Sequence, residues 1–206
     1  MAETTSDKLT DELEPTEAEP DPDEVEEDPE ELDPEVAARR VAALAHVRKF
    51  GDPALRSKAR SVDRFDDTLG TEIERMAHLM NDALGVGLAA TQVGTLHRLL
   101  VYRVQQDGPV VALVNPEIEW KGKETETIEE GCLSLPAVLV DVERPIHVRV
   151  RAQDAAGEPI TIEASGLEAR VIQHEIDHLD GVLILDRTSR DQRKEAMRAL
   201  REAQAA

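Results

Sequence analysis

Two histidines and a glutamate in the second half of the chain have the types and spacing of a metal site. His174, Glu175 and His178 stand in the segment HEIDH. On a helix, residues four apart project from the same face, so the two imidazoles point the same way. Such a segment binds a divalent metal through its histidines and directs the glutamate at a water on that metal. HEIDH therefore predicts a metal site suited to hydrolysis.

A catalytic metal takes three protein ligands and a water, so HEIDH leaves one ligand to be found. The candidates are Cys132, the single cysteine of the chain, and a downstream carboxylate, Glu195 or Glu202. Both glutamates lie in a charge-rich segment that we expect to be solvated, whereas a thiolate is a strong ligand for divalent metals. A lone cysteine is also often a small buried apolar residue. On these residues alone the third ligand stays open.

The segment GVGLAATQVG (85–94) is rich in small residues and contains one amide, Gln92. Its spacing fits a G-x-G-x-x-A dinucleotide fingerprint, but that fingerprint follows a strand and opens a helix. Here an amphipathic helix is predicted to precede the segment, so we expect no dinucleotide. A simple connector would explain the small residues. It would not explain Gln92, whose amide can donate a hydrogen bond to a developing oxyanion.

Apolar periodicity predicts helices at both ends of the folded part and strands between them. Residues 35–48 have the composition of a short helix, and residues 68–84 carry apolar side chains at helical spacing. Ser165 and Glu168 form a capping-box pattern that opens a helix through HEIDH, which Gly181 ends. A last helix is expected over 189–203. The predicted strands are 98–104, 110–116, 117–122, 125–131, 146–152 and 159–164.

Short strands with short connections favour antiparallel pairing. We therefore predict an α+β fold, with antiparallel β-sheets packed around the HEIDH helix and a C-terminal helix. The predicted domain covers residues 41–206, and residues 1–40 are predicted to be an acidic disordered extension.

The acidity of the chain is concentrated at its start. Residues 1–35 contain 17 Asp or Glu against one Lys, a net charge of −16, which leaves −4 of the total −20 for the rest. This stretch has almost nothing apolar to bury, so it cannot offset the entropy of ordering. We expect a tail that solubilises the protein, or one that takes part in interactions.

Several classes of protein are disfavoured by composition. A single cysteine allows no disulfide within the chain, which fits a reducing compartment. The first thirty residues lack the apolar stretch of a secretory signal, and no apolar run approaches the ~20 residues of a membrane helix. We expect a soluble cytoplasmic protein with no membrane association.

Three motifs follow one another: GVGLAATQ (85–92), EGCLS (130–134) and HEIDH (174–178). In this order they resemble bacterial peptide deformylase, over about residues 46–190 and including the early stretch GDPALR. The resemblance implies a mononuclear metal hydrolase that removes formyl from the N-terminal methionine of new proteins. It does not extend to the acidic tail.

The resemblance also implies roles for individual residues. Cys132, His174 and His178 would be metal ligands. Glu175 would be the catalytic acid/base, and Gln92 with the backbone N–H of Leu133 would form an oxyanion hole. The residues implied in substrate binding are Val86, Gly87, Leu88, Ile128, Gly131 and Val171. The implied ion is Fe²⁺, with Zn²⁺, Ni²⁺ or Co²⁺ able to replace it.

The implied partners are N-formylmethionyl peptides and the ribosome. Residues 187–202 carry a net charge of +3, which would attract phosphate-rich RNA, and the acidic tail would oppose that encounter. Many relatives carry an arginine soon after the cysteine motif. Here Ala137, Val138 and Leu139 follow, and Arg144 is the first arginine. The preference for residues behind the methionine is therefore expected to differ.

Two rival functions stay open. One is a peptidase that uses HEIDH with a carboxylate as third ligand. The other is a protein that binds formylated peptides without hydrolysing them. The joint presence of Glu175 and Gln92 speaks against the second, because loss of one of them would be its expected mark.

Overall fold

Helices flank a block of strands, as the sequence predicts. The computed structural model describes residues 32–105 and 107–205. Its helices are α1 Pro34–Leu44, α2 Asp67–Asp82, α3 Gly166–Leu179 and α4 Arg190–Ala205. Its strands are β1 Gly87–Ala89, β2 Leu99–Tyr102, β3 Val111–Lys121, β4 Thr125–Cys132, β5 Leu135–Pro145, β6 His147–Gln153 and β7 Pro159–Ser165. The α+β prediction is confirmed, and the described residues from Asp33 onward form one compact unit.

The predicted acidic extension lies outside the described residues as far as residue 31. The division of the chain at residue 40 stays a prediction, and α1 lies across it. Each helix in the described ranges is too short or too polar to cross a membrane.

The strands form two antiparallel sheets. One has five strands in the order β1-β2-β3-β6-β7, and the other is the hairpin β4-β5. In the larger sheet Leu100 pairs with Leu113 and Val150 with Ile162. Leu100, Leu113 and Val150 are fully buried and belong to one core with Ile172 of α3. The larger sheet thus supports the helix that carries HEIDH.

The sequence patterns did not predict β5. Along this strand Val138, Val140 and Val142 are buried and alternate with exposed residues. Leu139 occupies one of the exposed positions, where alternation would place a polar residue, and so it obscures the period of two. Because β5 pairs with β4, Glu130 lies opposite Val140.

β3 is one strand where we predict two. Asn115 has a φ of 54°, and the pairing with β6 shifts between Val114 and Glu117. A β-bulge of this kind bends a strand without ending it. The Asn115 side chain bonds the backbone of Val62 at 2.8 and 2.9 Å, which holds the bulge in place.

α3 begins and ends where the sequence predicts. The capping box does not form, since the Ser165 side chain caps nothing and Glu168 instead accepts from the Tyr102 hydroxyl at 2.8 Å. After the helix, Gly181 has a φ of 75°, which glycine adopts at low cost.

The remaining helices cover the sheets. α2 buries Leu69, Met76 and Met80 in a core shared with β2. α4 packs on β5 through Ala196 and Leu200. The HEIDH segment is thereby enclosed between two sheets and the helices that cover them.

Candidate metal centre

One cysteine and two histidines meet where the end of β4 approaches α3. One ligand atom from each of Cys132, His174 and His178 lies within 4.8 Å of the others. Sγ of Cys132 is 3.2 Å from Nε2 of His178, and the centroids of the two imidazole rings are 4.9 Å apart. In the described ranges no other cluster of three or more His, Cys, Asp or Glu could hold a metal.

This donor set fits a catalytic divalent metal. One thiolate and two imidazoles are three ligands, which leaves a fourth position for water or substrate. Sulfur and imidazole nitrogen are ligands that suit zinc and iron. Glu195 and Glu202, the alternative third ligands, are exposed on α4 and lie outside the cluster. The described part of the chain therefore offers a thiolate as third ligand.

The ligands shift one another's ionisation. Burial raises the pKa of the Cys132 thiol, but His178 and His174 outweigh this and hold the pKa well below its usual value. Burial lowers the pKa of His174, but its hydrogen bonds with Cys132 and Glu130 raise it to about 10. The cluster therefore favours a thiolate beside positive charge, and the thiolate is the form of cysteine that binds metals.

Glu130 orients His174. Its Oε2 accepts a hydrogen bond from Nδ1 of His174 at 3.0 Å, which leaves Nε2 of that ring for the metal. Arg144 donates to the same carboxylate at 2.6 and 2.9 Å, and Arg170 donates at 2.7 Å. Burial alone would raise the pKa of Glu130, but His174 and Arg144 lower it to about 2. Glu130 is therefore a fixed negative charge behind the histidine.

Arg144 extends this network to α3. Its guanidinium also donates to Asp177 at 2.8 Å, and Arg144, Glu130 and Asp177 are all buried. Glu130 precedes Cys132 by two residues, and Asp177 is adjacent to His178. The network therefore joins the two backbone segments that carry the ligands. The sequence analysis assigns no role to these three residues, although Glu130 lies in the motif EGCLS and Asp177 in HEIDH.

Glu175 lies beside the ligands and faces a cavity. It is 4% exposed, and its Oε2 has no hydrogen-bond partner among the described residues. Burial raises the pKa of this carboxyl group. A Cβ on Gly87 would overlap the carboxylate, so β1 can approach Glu175 because residue 87 is glycine. A buried carboxylate with a raised pKa in a cavity is a candidate proton carrier.

Gln92 is held with its amide nitrogen towards the cysteine. Its Oε1 accepts from the N–H of Ala89 at 2.8 Å, which fixes the orientation of the amide. Its Nε2 lies 3.7 Å from Sγ of Cys132 and 3.3 Å from Oγ of Ser134. The amide N–H groups thus point at the edge of the metal site.

Lys49 is a residue at the site that the sequence did not single out. Its ammonium donates to the carbonyl of Leu133 at 2.9 Å. The N–H of the same peptide unit belongs to Ser134 and donates to Sγ of Cys132 at 3.4 Å. Because hydrogen bonds in a chain polarise one another, we expect Lys49 to strengthen the bond from Ser134 to Cys132. No local motif indicates this contact, since 84 residues separate Lys49 from Leu133.

A cavity of about 710 Å³ opens beside the ligands. Most residues predicted for substrate binding line it: Val86, Gly87, Ile128, Gly131 and Val171, together with Gln92 and Leu133. Leu88 was also predicted to contact the substrate, but it is fully buried in the core with α2. Successive side chains of a strand point to opposite faces, so Leu88 of β1 faces away from the cavity.

Comparison with known proteins matches the same part of the chain. The family model of polypeptide deformylase matches residues 44–194. A peptide deformylase of Thermotoga sp. strain RQ2 is 51% identical over 143 residues, which are 69% of this chain and 86% of the relative. A peptide deformylase of Acidothermus cellulolyticus is 46% identical over 162 residues, which are 79% of this chain and 88% of the relative.

Solved structures are similar as well. A peptide deformylase from Synechococcus elongatus in complex with actinonin has a TM-score of 0.72 and 43% identity, covering 74% of this chain and 85% of that one. A peptide deformylase from Thermotoga maritima has a TM-score of 0.67 and 50% identity, covering 69% of this chain and 96% of that one.

Removing the carboxylate of Glu130 tests the network. In Glu130→Ala, two buried arginines lose their shared partner, so we expect the free energy of unfolding to fall by about 3–5 kcal/mol. Loss of the support for His174 should also weaken metal binding about 10- to 100-fold. Urea titration and competition with a chelating dye measure the two effects.

Glu143→Ala is the matched control, because Glu143 is an exposed carboxylate of the same hairpin. Its unfolding free energy should change by no more than about 0.5 kcal/mol. If both variants unfold and bind metal alike, Glu130 does not organise the site.

Proposed function

The chain belongs to the polypeptide deformylase family, and on that premise we propose that it hydrolyses the formyl group of N-terminal formylmethionine with a bound divalent metal. Members of this family remove the N-formyl group from nascent peptides, so the chain is a hydrolase. The proposal adds the metal, its ligands and the residues that carry out the reaction. The products are formate and a free amino terminus.

The observation that carries the proposal is the approach of three ligand atoms to within 4.8 Å of one another. We assign Cys132, His174 and His178 as the ligands. When bound, a divalent metal supplies Lewis acidity that activates water near neutral pH. We propose Fe²⁺ as the native ion because the family commonly uses it, with Zn²⁺, Ni²⁺ or Co²⁺ as substitutes that the same donors would bind.

Glu175 is proposed to carry the proton. Water adds its oxygen to the formyl carbon and gives its proton to the Glu175 carboxylate. The C–N bond of the formamide then breaks, and Glu175 returns the proton to the departing amine nitrogen. Burial and the absence of a described partner for Oε2 support this role, because the carboxylate is free to bind a proton.

Gln92 and Leu133 are proposed to stabilise the oxyanion. As water adds, negative charge develops on the formyl oxygen, where hydrogen-bond donors lower the barrier. The Nε2 group of Gln92 and the backbone N–H of Leu133 would donate there. The bond from Ala89 to Oε1 supports this, since it fixes the Gln92 amide before substrate arrives.

The substrate chain is proposed to lie along the cavity wall. The Gly87 backbone would bond the peptide, because the absence of a side chain there permits a close approach. Val86, Ile128 and Val171 would surround the methionine side chain, next to Gly131. Leu88 has no part in this pocket.

The two rival functions have less support. A peptidase with a carboxylate ligand would need Glu195 or Glu202 near the histidines, and both are exposed on α4. A protein that only binds formylated peptides has no need of Glu175 or Gln92, and both line the cavity.

We also propose that the protein meets its substrate in the cytoplasm at the ribosome, through α4. Arg190, Lys194 and Arg201 are exposed on this helix and line a surface depression whose five basic residues outnumber its two acidic ones. The apolar side of α4 is occupied by β5, which leaves the basic side for phosphate-rich RNA.

Substitution of Cys132 tests the ligand set. We expect Cys132→Ala to lose bound metal and formate release from formyl-Met-Ala-Ser together, because two imidazoles alone bind the ion poorly. Metal content by mass spectrometry and a formate assay on anaerobically purified protein give the two readouts. Glu195→Ala should keep both, whereas full metal content in the Cys132 variant would revive the peptidase.

Glu175→Gln should separate metal binding from chemistry. The amide cannot accept the proton, so turnover should fall by about 10²–10⁴ while metal content stays normal. Single-turnover formate release measures the effect. Near-normal turnover would exclude Glu175 as the proton carrier.

Reversing charges on α4 tests the ribosome contact. The triple variant Arg190→Glu, Lys194→Glu, Arg201→Glu should lose ribosome binding at low salt and keep kcat/KM on formyl-Met-Ala-Ser. The control reverses three exposed charges elsewhere, at Lys58, Arg75 and Lys123. Equal loss of ribosome binding in both variants would mean that total charge, not α4, governs the encounter.

A further inference from the structure

The first helix of the described chain contributes to the cavity that holds the metal ligands. Arg40 and Leu44 of α1 line this cavity together with His174, Glu175 and Cys132. The family match begins at residue 44. Arg40 therefore adds to the site a charged group from outside the matched segment.

α1 is fixed well enough to form a wall. The Asp33 side chain accepts hydrogen bonds from the N–H groups of Glu35 and Val36 at 2.8 and 3.3 Å, and so caps the helix. Pro34 occupies the first turn, where its missing N–H costs nothing.

The helix also packs on the rest of the domain. Ala43 is buried, and α1 contacts α2. Arg40 and Leu44 are four residues apart and so lie on one face of the helix. Arg40 is exposed and Leu44 is half-buried, so the guanidinium stands further out from the core than the leucine.

The other cations of the cavity wall are already engaged. Lys49 donates to the carbonyl of Leu133. Arg170 donates to Glu130 and to backbone carbonyls of β4 and β5. Arg40 has no ion pair or side-chain hydrogen bond within the described ranges, and it is the cation that is free to meet a ligand.

The part of the substrate behind the methionine has to leave the cavity, and exposed Arg40 lies on its wall. If the formyl group lies at the ligands and the methionine among the apolar side chains, the residues that follow leave through the mouth of the cavity. A volume of about 710 Å³ is in the range of sites for ligands larger than one amino acid. An extended chain advances about 3.3–3.6 Å per residue, so each following residue reaches further along the mouth.

We propose that Arg40 forms an accessory subsite that favours an acidic side chain among the second to fourth residues of the substrate. The inference rests on the proposed function, since it assumes that a formylmethionyl peptide occupies the cavity. Glu126 and Glu129 of β4 also line the cavity and favour basic side chains, so the position of the charge along the peptide matters. An exposed ion pair should change kcat/KM by about two- to fivefold.

The test is a charge scan along the substrate with the metal-loaded full chain. Formyl-Met-Ala-Ala-Ala receives a single Glu or a single Lys at position 2, 3 or 4, and kcat/KM is measured for each peptide. For the unaltered protein the ratio of the Glu peptide to the Lys peptide should exceed one at one position, by about two- to fivefold. The ratio should approach one as salt rises.

Arg40→Glu should invert this ratio at that position. Arg39→Glu is the matched control, because Arg39 is also exposed on α1, undergoes the same charge change and does not line the cavity. Arg39→Glu should keep the ratio of the unaltered protein. Arg39→Glu should also keep kcat/KM on formyl-Met-Ala-Ser.

Three outcomes would overturn the subsite. In two of them the kcat/KM ratio of the Glu peptide to the Lys peptide is one at every position, or below one at every position. In the third, this ratio shifts equally in the Arg39 and Arg40 variants. In each, normal hydrolysis of formyl-Met-Ala-Ser would leave the proposed function intact. Absence of formate release from all peptides by the metal-loaded protein would contradict the proposed function itself.

Discussion

The candidate metal centre depends on a buried set of charges that ties the β4-β5 hairpin to α3. Arg144 of β5 bonds Glu130 of β4 at 2.6 and 2.9 Å and Asp177 of α3 at 2.8 Å. Buried ions are costly unless they are paired, and in this arrangement each of the three has a partner of opposite charge. That arrangement brings Cys132 of the strand to His178 of the helix.

A second feature of the site is the buried carboxylate of Glu175. Unlike Glu130, it has one oxygen with no hydrogen-bond partner among the described residues. Glu130 is surrounded by donors and its pKa falls to about 2, whereas Glu175 is buried, its Oε2 has no partner in the described part of the chain, and its pKa rises. Glu130 is therefore a permanent negative charge, whereas Glu175 is a group that can exchange a proton. Gly87 makes this possible, since any side chain there would displace the Glu175 carboxylate.

Patterns of neighbouring residues predict those features of the site that depend on residues close in sequence. Helical spacing placed His174 and His178 on one face of α3, and the order of the three motifs indicated the family. Patterns did not reveal β5, because exposed Leu139 obscures its alternation. They therefore could not reveal Arg144 as the partner of Glu130, which depends on the folded hairpin. The substrate contact predicted for Leu88 is wrong, because the orientation of a three-residue strand cannot be read from its composition.

The β4-β5 hairpin also connects the candidate metal centre to the C-terminal helix. Gln192 of α4 accepts from the N–H of Asp141 at 2.9 Å and donates to its carboxylate at 2.7 Å. Buried Leu200 of α4 shares a core with Val138 and Val140 of β5. α4 is thus a structural support of the strand that carries Arg144, as well as a basic surface. The inward face of α4 is therefore tied to β5, the strand that carries Arg144, whereas the outward charges of α4 take no part in this packing.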